Sequence, residues 1–179
     1  LKEAGLLAIG LALLSILIYI WMRFEWQFGI GALIALTHDI ITTIGLFAVL
    51  NYEFNLATVA AILTIAGYSI NDTVVVYDRV RENLRKYKKL DLLALFNMSI
   101  NETLSRTTMT SVTTLLALFS IFFFGGAVLA DFALAMIWGV CIGTYSSIFI
   151  AVPLLLYVNL KRGDEDESGL QAPQDEIPR

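Results

Sequence analysis

Asp72 and Arg106 are the two residues whose type and placement point to chemistry. Asp72 interrupts an otherwise apolar run, residues 57–77, that is long enough to cross a bilayer. A carboxylate at mid-membrane depth costs about 2.5–3.5 kcal/mol on insertion scales, so acids there mark functional sites. Suppose the run meets the membrane surface near Arg79. Asp72 then lies seven residues inside, about 10 Å at 1.5 Å per residue. If the next span enters near Asn101, Arg106 lies about 8 Å inside. Two adjacent antiparallel helices can present the acid and the guanidinium to each other, with desolvation and the facing cation pulling the proton affinity in opposite senses. Such a carboxylate can exchange a proton during a conformational cycle. The alternative is a static buried ion pair that only orients helices.

The surroundings favour proton handling. Asn71 and Thr73 flank the acid, and Ser105, Thr107, Thr108, Thr110, Ser111, Thr113 and Thr114 surround the base. That hydroxyl density suggests a hydrated path, although hydroxyls also hold helices together in lipid at about 0.6 kcal/mol each. His38 and Asp39 form a second polar pair. A proton relay is one reading; interhelical hydrogen bonding supported by Thr37, Thr42 and Thr43 is the favoured one. Gly139 and Gly143 have the spacing that lets helices approach closely. Asp131 is expected as a helix N-cap, and Cys141 as small apolar packing.

These residues need membrane helices to position them. The 179-residue chain is 58% hydrophobic and only 16% charged, against about a quarter for a soluble domain, and its mean hydropathy is +0.74. The expected class is an all-α membrane protein, a bundle of five transmembrane helices at about 5–22, 28–50, 56–77, 104–124 and 131–158. Together they make a transmembrane domain over residues 1–158. Residues 159–179, acidic and poor in apolar side chains, are expected as a disordered cytoplasmic tail. Arg23, Arg79, Arg81, Arg85, Lys86, Lys88, Lys89, Lys161, Arg162 and Arg179 fall on one side and only Lys2 on the other. The positive-inside rule makes the rich side cytoplasmic, which leaves the N-terminus outside and suggests an earlier span. Within the cytoplasmic loop 78–101, the basic first half reads as an extension of the third span that meets anionic membrane lipids. Leu90–Met98 reads as an amphipathic segment in the interface.

No phosphate-binding loop, dinucleotide fingerprint or metal-ligand cluster is present in the sequence, so no cofactor or metal is expected, and neither is an enzyme. The net charge of −4 comes from the acidic tail, and nucleic-acid binding has no support.

GYSINDTVVVYDRVREN at 67–83 and SINETLSRTTMTSVTTLL at 99–116 closely resemble the signature segments of the SecF family of bacterial export proteins. RFEW at 23–26, HD at 38–39, FFGG at 123–126 and DFALAMIWGVCIGTYSSIFIA at 131–151 are similar too. The family belongs to the resistance-nodulation-division superfamily. The resemblance implies half of a superfamily-type transmembrane unit, here lacking a first helix and a periplasmic domain. It implies SecD as partner, the SecYEG translocon and YajC as associates, a preprotein substrate, and drive by the proton motive force across the inner membrane. Carried over by motif, Asp72, Arg106 and, one turn on, Thr110 resemble the family's proton pathway. Departures are Tyr77 where Phe is usual, and Thr108-Met109 in place of Leu-Asn. The readings set against this one are a small-molecule or lipid exporter of the same superfamily and a purely structural scaffold.

Overall fold

The computed structural model describes residues 2–51 and 55–158; the expected tail at 159–179 lies outside the described residues. Helix α1 spans Lys2–Arg23, α2 Trp26–Val49, α3 Leu56–Lys86, α4 Leu92–Phe124 and α5 Ala127–Ser146. A π-helical turn, Ser147–Ala151, joins α5 to α6, Val152–Tyr157. Apart from α1, whose apolar stretch is Gly10–Arg23, four helices are long and apolar enough to cross a membrane: α2, α3, α4 and the rod Leu129–Tyr157. Among the described residues there is no strand.

The helix ends follow local chemistry. Asn55 caps α3, its side chain accepting from the Thr58 amide while the Thr58 hydroxyl accepts from the Asn55 amide. Asn51 takes the left-handed conformation, φ 55°, just past α2, where a short polar side chain is tolerated. Gly126, φ 77°, allows the tight reversal from α4 into α5.

Two expectations need correction here. Asp131 is not an N-cap: α5 begins at Ala127 after Gly126, because the glycine turn reverses the chain four residues earlier. Leu90–Met98 does not form a separate interfacial segment. Asp91 caps a helix that runs unbroken from Leu92 to Phe124, its carboxylate accepting from the Leu93 and Ala94 amides. The reason is burial. Leu95 and Phe96 are completely enclosed in a cluster with Val76, Tyr77 and Val80 of α3, Phe24, and Phe28 of α2. Burying two large apolar side chains is worth about 1.5–3 kcal/mol each, which holds this stretch inward.

Tyr77 centres that cluster. Its ring packs edge-on against Phe24 and Phe28 at 6.1 and 5.2 Å. Its hydroxyl donates to the Ala151 carbonyl at 2.9 Å, passing over Gly31, where a Cβ would collide with it. At the basic end of α3, Arg79 bridges Glu82 and Glu102, each at 2.6 Å. Asn83 donates to Ser99 and to Glu102, at 2.9 and 2.8 Å. This clamp ties the extension of α3 to the start of α4, and thereby sets how deep each helix stands relative to the other.

Candidate functional site

The clamp gives the register of the two charges. Asp72 lies seven residues, about two turns, inward of Arg79; Arg106 lies four residues, about one turn, inward of Glu102. With Arg79 and Glu102 in contact, the two are offset along the bundle by about 5 Å, so their depths nearly match. Their azimuths differ. Asp72 is buried, 3% exposed, and points between α4 and α5, beside the hydroxyl of Thr144. On α4 the inward positions are Thr103, Thr107, Ser111 and Leu118, leaving Arg106 and Thr110 on the exposed face. Arg106 stands within electrostatic range of Asp72, yet forms no ion pair among the described residues. Asp72 and Arg106 thus share a depth and interact electrostatically, but Arg106 leaves α4 on its exposed face and no ion pair joins the two.

The Asp72 carboxylate is only partly satisfied. Its Oδ2 is buried with no hydrogen-bond partner, and the same holds for the hydroxyl of Thr107. Ser111 and Thr144 share a hydrogen bond at 2.7 Å across the α4–α5 contact. Polar atoms thus line a seam between α3, α4 and α5. Of the other hydroxyls on α4, those of Thr110 and Thr113 on the exposed face are occupied by their own helix, donating to the carbonyls of Arg106 and Met109. Asn71 is exposed and turned away from this seam. Among the described residues, no group of His, Cys, Asp and Glu is arranged to hold a metal ion.

Asp39 has the opposite environment. It is fully buried, and its Oδ2 accepts from Ser69 of α3 at 2.5 Å and from Ser146 of α5 at 2.7 Å. His38 Nδ1 lies 3.0 Å from Oδ1, and the hydroxyls of Thr42 and Thr43 donate to the Asp39 carbonyl. Three helices meet in one hydrogen-bonded knot. Sequence reasoning did not connect Ser69 or Ser146, which lie 30 and 107 residues from Asp39, with that acid.

The glycines sit beside that knot. A Cβ on Gly139 would fall 2.3 Å from Ile65, and one on Gly143 would fall 3.2 Å from Ser69. The close α3–α5 approach that brings Ser69 to Asp39 thus requires small residues at both positions. Cys141, between them, is exposed rather than packed inside, because it occupies the outward face of α5.

Comparison with known proteins gives this geometry a context. Residues 1–161 match the family model of protein export membrane protein SecD/SecF, C-terminal. The protein translocase subunit SecF of Rhodobacter capsulatus is 58% identical over 154 residues, which are 86% of this chain and 46% of that protein. SecF of Rickettsia rickettsii is 53% identical over 160 residues, 89% of this chain and 52% of that one. The chain thus spans about half the length of the curated relatives it matches. Among solved structures, SecDF from Thermus thermophilus aligns with a TM-score of 0.84 at 46% identity, covering 87% of this chain and 22% of that one. SecDF in its super-membrane-facing form aligns at 0.77 and 49% identity, over 81% and 20%. With its all-helical membrane architecture, the chain belongs to the SecD/SecF family of protein export membrane proteins, among which the relatives cited are SecF subunits.

Proposed function

We propose that this chain works as a SecF-type subunit that pairs with SecD and uses the proton motive force to assist preprotein movement through the SecYEG channel, with YajC as a further associate. Its role is transport coupling, with no bond made or broken in a substrate. In this reading the N-terminus faces the periplasm and the basic ends of α1 and α3 face the cytoplasm of a bacterial inner membrane.

The observation that carries the proposal is the buried Asp72 oxygen without a hydrogen-bond donor, beside an arginine that no acid of the described chain pairs. An arginine left in lipid costs about as much as a buried acid, so the exposed face of α4 calls for cover by a second membrane subunit. Ionised Asp72 draws Arg106 inward in one state, and protonation releases it in the other. One charge crossing 100 mV supplies about 2.3 kcal/mol, enough to bias two packings of a bundle. Thr110, one turn along the same face as Arg106, extends the pathway.

The test is proton flux and preprotein export in vesicles holding this subunit together with SecD. Asp72→Asn and Arg106→Met should each abolish proton-dependent export while leaving the complex assembled. Wild-type flux through either variant ends the proposal. Failure to co-purify with SecD would favour an exporter of another kind.

A further inference from the structure

Arg23, in the last turn of α1, and Arg81, Arg85 and Lys86 of α3 line an open cavity of about 560 Å³ together with Asp78 and Glu82. Four cations against two acids leave two surplus positive charges on its wall. Both acids are already held: Asp78 by Arg23 at 2.9 Å, and Glu82 by Arg79, from outside the cavity, at 2.6 Å. Glu25 comes only to 4.0 Å from Arg81, whose Nε is buried without an acceptor. Lys86 stands over the ring of Tyr87 at 5.0 Å, and Arg85 is exposed with no ion pair among the described residues.

We propose that this cavity binds the phosphate headgroup of an anionic phospholipid. A guanidinium presents N–H donors in a planar fork that matches phosphate oxygens, and Arg85 on the cavity wall offers such a fork with no ion pair among the described residues. Basic pockets between membrane helices are suited to anionic headgroups. The depth is right for a lipid rather than a dissolved anion. Trp21 and Trp26, 71% and 59% exposed, flank Arg23 in the chain, and such tryptophans settle at the membrane–water boundary. At the same end of α1, an apolar cleft of about 150 Å³ opens between Leu17, Trp21, Ile30 and Leu33, where hydrocarbon rather than water is the fitting neighbour.

The test follows thermal unfolding of the full-length subunit in complex with its partner in detergent. Short-chain phosphatidylglycerol, short-chain phosphatidylcholine and inorganic phosphate are titrated separately. Phosphatidylglycerol should raise Tm, with the half-saturating concentration about fivefold higher in Arg85→Gln, the fold-change expected for one basic headgroup contact. Lys89→Gln removes the same charge from outside the cavity and should leave that concentration unchanged. Arg85 is exposed, so its substitution spares the fold. Equal weakening in the two variants would overturn the proposal in favour of diffuse surface charge. Equal stabilisation by phosphatidylcholine would reduce the effect to apolar contact, and its reproduction by inorganic phosphate would assign the cavity to a soluble anion.

Discussion

Asp39 and Asp72 are both buried carboxylates in the same bundle, yet their surroundings are opposites. Asp39 receives hydrogen bonds from Ser69 and Ser146 and stands 3.0 Å from His38, so its carboxyl group is held by three helices at once. Asp72 keeps an oxygen with no donor, and its nearest cation is displaced to the outer face of α4. A satisfied acid fixes helices in place, since moving any of them strands a donor. An unsatisfied one stores a preference for another arrangement. The difference separates scaffold from working part better than the presence of a charge in the membrane does.

Neutralising each acid in turn carries the largest expected effect. Asp72→Asn should reduce proton-coupled export to background while leaving Tm of the complex within a degree or two. If it instead unfolds the complex, the two acids are alike. Next in size is Gly139→Leu, which drives a side chain into Ile65 and pushes α3 off α5. Overpacking of this kind costs up to about 3 kcal/mol. Ile65→Ala in the same chain should recover part of the loss in a thermal melt. Asp39→Ala removes the acceptor for three donors, about 2 kcal/mol at roughly 0.6 each, with proton coupling retained in whatever fraction stays folded.

The smallest effect concerns the clamp. Hydrogen bonds from Arg79, and then from Asn83, hold the Glu102 carboxyl below its ordinary 4.5. A value depressed by folding means that the contribution is complete above pH 4.5 and fades as pH falls further, through the folded-state value. The Glu102 side chain is 34% exposed, so the effect is modest and screened by salt. Hydrogen exchange over residues 80–86 should quicken beyond the intrinsic trend only as pH falls below 4.5. Glu102→Gln should remove that excess.

Much of the frame was legible in the sequence because a bilayer tolerates few solutions. An apolar run of about 20 residues must be helical to satisfy its own backbone, so α2 and α3 begin within two residues of their expected starts. The early start of α4 was less visible, since Leu90–Met98 is equally fit to lie on a membrane or against protein. Asp91, one residue before the helix begins at Leu92, was the overlooked capping signal. For the site, helical rise gave the depth of Asp72 and Arg106, but azimuth depends on which face of α4 is buried, and its scattered hydroxyls carry no clear apolar stripe. The knot around Asp39 was hidden for another reason: serines in apolar helices look alike until the fold brings two of them to the same oxygen.

The π-helical turn at Ser147–Ala151 winds one more residue into its loop than an ordinary turn does. Everything downstream is thereby rotated by one residue's share of the circle, about 100°. That rotation aims Leu155, 0% exposed, at the aromatic cluster. Deleting a single residue here would tidy the helix and ruin the fit, swinging Leu155 toward the lipid. The irregular winding is thus a phase adjustment between the two halves of one rod, letting Ser146 meet Asp39 while Leu155 still meets the rings.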